Sequence, residues 1–281
     1  MKFTRLFVIC AAFGLSACSS SSTVTQRYAQ PGDVIKNGDS FSTQAVKRLV
    51  VVNGTQSIKD QTIEFSVSED GQTAHVTQNY KNYTLNWNDV TKRYEQGGAS
   101  LIFENSISNV VQAAYFQDSV GSGYYNRGAF VFGYATNPTQ VTNTTRGGSA
   151  TYTGESNISV WVDGQAGYGD GTTNLNADFA NQTIAGTINV SHQPSSGGSI
   201  SFPDATIFIN PSNGPNISGN QFNTDLDVTF VPVPGSTFNI AQTGLTGGFY
   251  GVNAAAIGAT YWAQGDVNGD TLLIQGSLTA N

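Results

Sequence analysis

The chain has 281 residues, a formal net charge of −7 and only 11% charged residues, and all twelve of its lysines and arginines lie at or before Arg146. From Ala150 onward there are nine acids and no basic residue, which argues against nucleic acid, whose phosphates need Lys and Arg, and against charge-driven attachment to an anionic membrane. The two cysteines, Cys10 and Cys18, leave no pair for a disulfide once a leader is removed.

Lys2 and Arg5, an apolar run from Leu6 to Leu15 and small residues before Cys18 have the layout of a secretory leader over residues 1–17. Leu15-Ser16-Ala17-Cys18 resembles a bacterial lipobox and predicts cleavage before Cys18, lipid on that cysteine and a flexible tether over 18–30. Ser19 rather than Asp after the cysteine resembles the pattern of lipoproteins exported to the outer membrane.

Thr62–Val67, His75–Thr77, Asn157–Val162 and Asp204–Asn210 alternate apolar and polar residues, the period of half-buried strands. Turn signals separate such runs at Asp163-Gly164, Asp170-Gly171, Asn213-Gly214-Pro215 and Asn268-Gly269-Asp270. The one helix expected is a single turn at Ala254–Ile257, with Phe249, Tyr250 and Tyr261 around it. The fold is therefore read as all-β, with a division near residues 140–148 where the charge pattern changes.

Catalysis finds little to build on. His75 and His192 are the only histidines and no serine sits in a nucleophile-elbow context. Asp225 and Asp227 share one face of a strand but read as solvated acids. Asp266-Val267-Asn268-Gly269-Asp270 lacks the glycine and glutamate of a calcium loop and reads as a hairpin turn. No metal site and no resident cofactor are expected. A haem reading stays open, with His75 or His192 as ligand and Tyr115, Tyr124 or Tyr125 supplying phenolate or stacking surface.

Phe132-Gly133-Tyr134-Ala135-Thr136, Gly148–Gly154, Leu175–Ile188 and Gly248–Tyr261 occur in that order. Together they resemble the β-barrel module of the transferrin-binding protein B family of surface lipoproteins. The resemblance implies an N-terminal handle-like β domain over 31–143, followed by an eight-stranded antiparallel β-barrel over 144–281. Gly148, Gly154, Gly186 and Gly251 are expected at strand ends and Asp178 at a turn cap. It also implies an outer-membrane, surface-exposed lipoprotein that binds an iron- or haem-carrying protein and serves an outer-membrane transporter, with lipid on Cys18. The alternatives are a small-ligand (haem) carrier and a structural or shielding envelope lipoprotein. The candidate partner-binding residues are Tyr115, Phe116, Tyr124, Tyr125 and Arg127, where aromatic anchors and a cation cluster for an acidic partner. The opposing reading makes these aromatics part of the core.

Overall fold

The computed structural model describes residues 27–53, 55–78, 80–104, 109–119, 121, 124–142, 148–163, 165–193, 203–210 and 216–281. The leader, the lipobox with Cys18 and the Asn213-Gly214-Pro215 turn signal lie outside them. The first unit holds strands β1 (Ser40–Val52), β2 (Thr55–Val67), β3 (Thr73–Gln78), β4 (Lys81–Asn88), β5 (Arg93–Gln96), β6 (Ala99–Phe103), β7 (Val111–Asp118) and β8 (Tyr124–Gly133). Each strand pairs antiparallel with the next. Pairing of β8 with β1, from Arg48↔Gly128 to Val52↔Tyr124, closes the ring. The unit expected as a handle is thus a closed eight-stranded barrel, a topology that removes unpaired edges.

Alternation decides what fills it. Phe41, Phe65, Phe103, Phe130 and Phe132 point inward and pack with ring centroids 4.6 to 6.1 Å apart. The other end of the interior is polar. There the Asn126 amide donates to Gln78 Oε1 at 2.9 Å, while Lys81 Nζ and the Tyr83 hydroxyl donate to Asp118 at 3.1 and 2.7 Å.

A short helix, α1 (Pro138–Thr142), follows. Asn137 caps it, its Oδ1 accepting the Thr139 N–H at 3.0 Å, and proline occupies the first helical position, where no donor is needed. The second unit contains β9 (Ser149–Val162), β10 (Gln165–Asp178), β11 (Thr183–Gln193), β12 (Ala205–Ile209), β13 (Ile217–Ser218), β14 (Gln221–Thr224), β15 (Leu226–Phe230), β16 (Phe238–Tyr250), β17 (Ala256–Val267) and β18 (Asp270–Ala280). They form one sheet in the order β13-β14-β16-β17-β18-β9-β10-β11-β12-β15. The sheet curls until β15 meets β16, where Thr243 Oγ1 accepts the Leu226 N–H and donates to the Leu226 carbonyl, both at 2.8 Å. Eight strands, β16 through β15 in that order, therefore ring a core of Leu175, Ile184, Ile188, Leu245, Phe249, Ile257, Tyr261, Leu272 and Leu278. The all-β expectation holds, and an eight-strand ring stands in each unit.

Several local expectations change. Ala254–Ile257 is not helical: Asn253 and Ala254 take left-handed φ values of 57° and 54°, and β17 begins at Ala256. Alanine's helix preference is weak against the two barrel strands that flank it. Tyr152 secures the turn instead, its hydroxyl donating to the Ala254 carbonyl at 2.7 Å. Asp170-Gly171 is no turn but the middle of β10, paired with Asn157 and Ser156. Gly154 and Gly186 also sit inside strands, where an added Cβ would strike the Thr279 and Asn174 carbonyl oxygens. Asp178 does cap its turn, accepting from the Ala180 and Asn181 N–H groups at 3.0 and 2.9 Å. Those bonds hold its carboxyl below the ordinary range.

The connection between the units is sewn to the second barrel. Thr136 donates its N–H to the Phe249 carbonyl at 2.8 Å and its hydroxyl to the Gly251 carbonyl at 2.7 Å, and Gly251 N–H returns to Tyr134. The outer face of β7 and β8 lies against β17 and β18. Trp161 and Leu273 meet Val51 and Ile58 further along.

Candidate functional site: the cleft between the two units

On β7 and β8, inward residues such as Phe116 and Phe130 alternate with outward ones, so Tyr115, Gln117 and Arg127 share the outer face. Across from them, β10 turns Tyr168 and Asp170 outward while Gly167 and Gly169 are buried. These faces enclose an open cleft of about 610 Å³ that also takes in Arg93 and Glu104.

Arg127 is its centre. Its guanidinium carbon lies 3.6 Å from the Tyr115 ring centroid and 4.5 Å from that of Tyr168, so one cation is held by an aromatic from each unit. Such contacts contribute from about 0.5 kcal/mol when exposed to about 2 when desolvated. Burial raises the Glu104 carboxyl, Arg127 opposes that shift, and Asp170 adds to it. Burial likewise raises the Tyr115 hydroxyl against the pull of Arg127. Two cations, two carboxylates and two phenols around one opening make a surface for polar recognition.

Of the residues singled out in the sequence, Tyr115 and Arg127 meet here. Phe116 does not: it is 0% exposed, inside the first barrel, with its ring 4.9 Å from that of Tyr83. It cannot touch a partner, because its place in the alternation puts it one residue away from the outer face. The backbones of Tyr124 and Tyr125 pair with Val52 and Val51 at the far end of β8, and their side chains lie outside the described residues. His75 is exposed on β3, its Nδ1 3.3 Å from the Thr84 hydroxyl. The His192 side chain falls outside the described residues. Among the described residues no three His, Cys, Asp or Glu gather into a metal-holding group. Tyr168, Glu104, Asp170 and Arg93 were missed. Tyr168 carried a signal in Gly167-Tyr168-Gly169-Asp170-Gly171, a strand with glycine on every inward position and large polar groups outward.

Residues 137–281, just over half of the chain, match the family model of the C-lobe and N-lobe β-barrels of transferrin-binding protein B. The chain belongs to this family. Its matched part is the second barrel described above, including α1. No curated protein matches the sequence. Among solved structures, transferrin-binding protein B isotype 1 of serogroup B Neisseria meningitidis is similar at 15% identity and a TM-score of 0.48, over 84% of this chain and 43% of that one. The intact two-lobed Ap-TbpB gives 16% identity and 0.48 over 85% and 46%. HpuA of Kingella denitrificans, solved in complex with human haemoglobin, gives 14% and 0.39 over 92% and 93%. The chain thus spans less than half the length of the two transferrin-binding protein B structures.

Proposed function

We propose that this chain is a lipid-anchored surface protein of the outer membrane that captures an iron- or haem-carrying protein and hands its cargo to an outer-membrane transporter. The observation that carries the reading is membership of the transferrin-binding protein B barrel family over residues 137–281. The lipobox resemblance ending in Cys18 supports the anchor. The cleft centred on Arg127 is the contact surface in this reading, with Tyr115 and Tyr168 lining it on either side of the guanidinium. Tyrosine and arginine are the residue types that dominate binding energy at protein interfaces.

The test is capture by the full chain, in detergent, of purified transferrin, haemoglobin and serum proteins, with haemin titration beside it. Retention of one iron- or haem-carrying protein, weakened at least about tenfold by Tyr168→Ala with circular dichroism unchanged, is the expected result. Retention of none of them sinks the reading, and a Soret band with haemin alone replaces it with a small-ligand carrier.

A further inference from the structure

The second barrel closes differently from the first. Among the described residues no backbone ladder joins β15 to β16: β15 pairs with β12, and β16 pairs with β17 and, further along, β14. Two contacts pin the seam: the Thr243 hydroxyl on Leu226 at one end and the stacked rings of Phe230 and Phe238, with centroids 4.3 Å apart, at the other. Between them lies an open groove of about 710 Å³.

The sequence holds this seam apart. The connection Val231-Pro232-Val233-Pro234-Gly235 has prolines at alternate positions, which remove donors where a hairpin would zip. On β16 the register against β17 slips between Ile240 and Gln242, a bulge that bends the strand away. Two strand edges therefore face each other unpaired. Antiparallel strands point alternate residues' main-chain groups to opposite sides. Val231 N–H bonds Asp204 on the β12 side and Leu226 faces Thr243, so Val228 and Phe230 direct their N–H and C=O groups into the groove. On the other wall Thr237 and Asn268 bond on the β17 side, which leaves Phe238 and Ile240 facing the groove.

The groove also has two chemistries at right angles to those edges. Val228, Phe230, Phe238 and Ile240 are half-buried and pack on the barrel core, so the floor is apolar. The outer rim carries exposed Asp225 and Asp227, in a half of the chain with no Lys or Arg after Arg146.

We propose that this seam is a binding site for an extended, lysine-bearing peptide segment, which enters as an additional strand between β15 and β16. Alternation along such a segment sets apolar side chains against Val228 and Ile240 and directs lysines outward to Asp225 and Asp227. Its main chain pairs with Val228 and Phe230 on one side and with Phe238 and Ile240 on the other. This is strand addition at a sheet edge, where the backbone supplies affinity and alternate side chains supply selectivity. The site is at a different place from the inter-unit cleft and does not depend on what that cleft captures.

The test uses a fluorescein-labelled octapeptide of alternating lysine and valine, followed by anisotropy with the full chain at low salt. Controls are an alternating glutamate–valine peptide and a lysine–proline peptide that lacks half the N–H donors. The lysine–valine peptide should bind at least about tenfold more tightly than either control. Asp227→Asn should weaken it about three- to tenfold. Val228→Pro, a substitution tolerated on a free edge, should weaken it about tenfold with circular dichroism unchanged. Hydrogen exchange is the check that needs no variant: bound peptide should slow the amides of Val228, Phe230 and Ile240. No binding at roughly millimolar peptide, equal binding of the controls, or binding that leaves those amides unprotected overturns the proposal.

Discussion

A single hydrogen at Gly276 allows Tyr261 to cross its neighbouring strand. Gly276 is paired with Tyr261, and a methyl there would overlap the phenol ring. The ring passes over the glycine to reach β9, where its hydroxyl lies 2.8 Å from Ser156 Oγ and donates to the Asn157 carbonyl at 3.1 Å. Burial raises the Tyr261 hydroxyl above its ordinary range, which favours the protonated, donating form. Gly276→Ala should cost about 1–3 kcal/mol through overpacking, and Tyr261→Phe about 1–2 through the unmade bonds, both read by urea denaturation. Glu104 gives a pH-dependent counterpart. Its folded carboxyl is raised by burial, so the native state binds its proton more readily than the unfolded chain, and stability falls as pH rises through the window just above the ordinary glutamate value. Glu104→Gln should therefore melt higher than the wild type at neutral pH, with the gain disappearing below about pH 4. Equal melting at both pH values would show that the buried carboxyl costs nothing. At this scale the sequence was legible where a residue acts within its own turn, as Asp178 does. It was opaque for Phe116, whose neighbour Tyr115 is equally aromatic; one step of strand register, which no local pattern fixes here, decides which of the two faces out.

Among the elements, the β17–β18 hairpin was readable because Asn268 and Gly269 take φ values of 54° and 95°, the pair a two-residue turn demands. Its Asp266 serves the turn and accepts the Gly269 N–H at 3.2 Å. The helix was misplaced for a reason that composition hides: three alanines, of high helix propensity, lay at a strand corner, whereas the real helix begins with Asn137-Pro138, a cap followed by proline. The unladdered seam was likewise invisible, since β15 and β16 each alternate like ordinary strands. Thr243→Val tests how much one hydroxyl contributes there. It strips both bonds from the Leu226 main chain, with an expected loss of about 1–3 kcal/mol. The Leu226 amide should exchange faster while those on the β9–β10 ladder stay unchanged. Uniform acceleration across the barrel would mean that the bridge is part of the global core and not a local fastener.

For the whole molecule, the junction depends on few side chains. Arg127 from the first unit lies between Tyr115 of its own barrel and Tyr168 of the second. Arg127→Met should lose roughly 1–2 kcal/mol, and adding Tyr168→Leu to it should cost less than Tyr168→Leu alone, the mark of residues that share one interaction. Strict additivity in chemical denaturation would separate them. Anchoring is tested at the same scale. Cys18→Ala should abolish incorporation of labelled palmitate, and undiminished label would place the lipid elsewhere. The all-β class of the whole molecule was legible from the alternation and the ordered motifs. Closure of the first unit was not, because it depends on β1 finding β8, a pairing of distant segments with no local signature.

In the proposed lipid-anchored protein, the place where the chain enters the fold sets which strand ends lie nearest the membrane. Ala29 N–H bonds the Ala135 carbonyl at 2.8 Å, and Arg27, paired with Asp33, lies 4.6 Å from the Tyr134 ring, beside the turn from β16 to β17. Eight residues separate Arg27 from Cys18, a leash of at most about 30 Å. β16 runs from this corner, at Tyr250, to Phe238 at the seam, about 40 Å along the strand. With lipid on Cys18, the strand ends near Tyr250 are held close to the bilayer. The β15–β16 connection and the β1–β2 and β17–β18 turns become the outermost points, the first surfaces that a molecule approaching from the medium would meet.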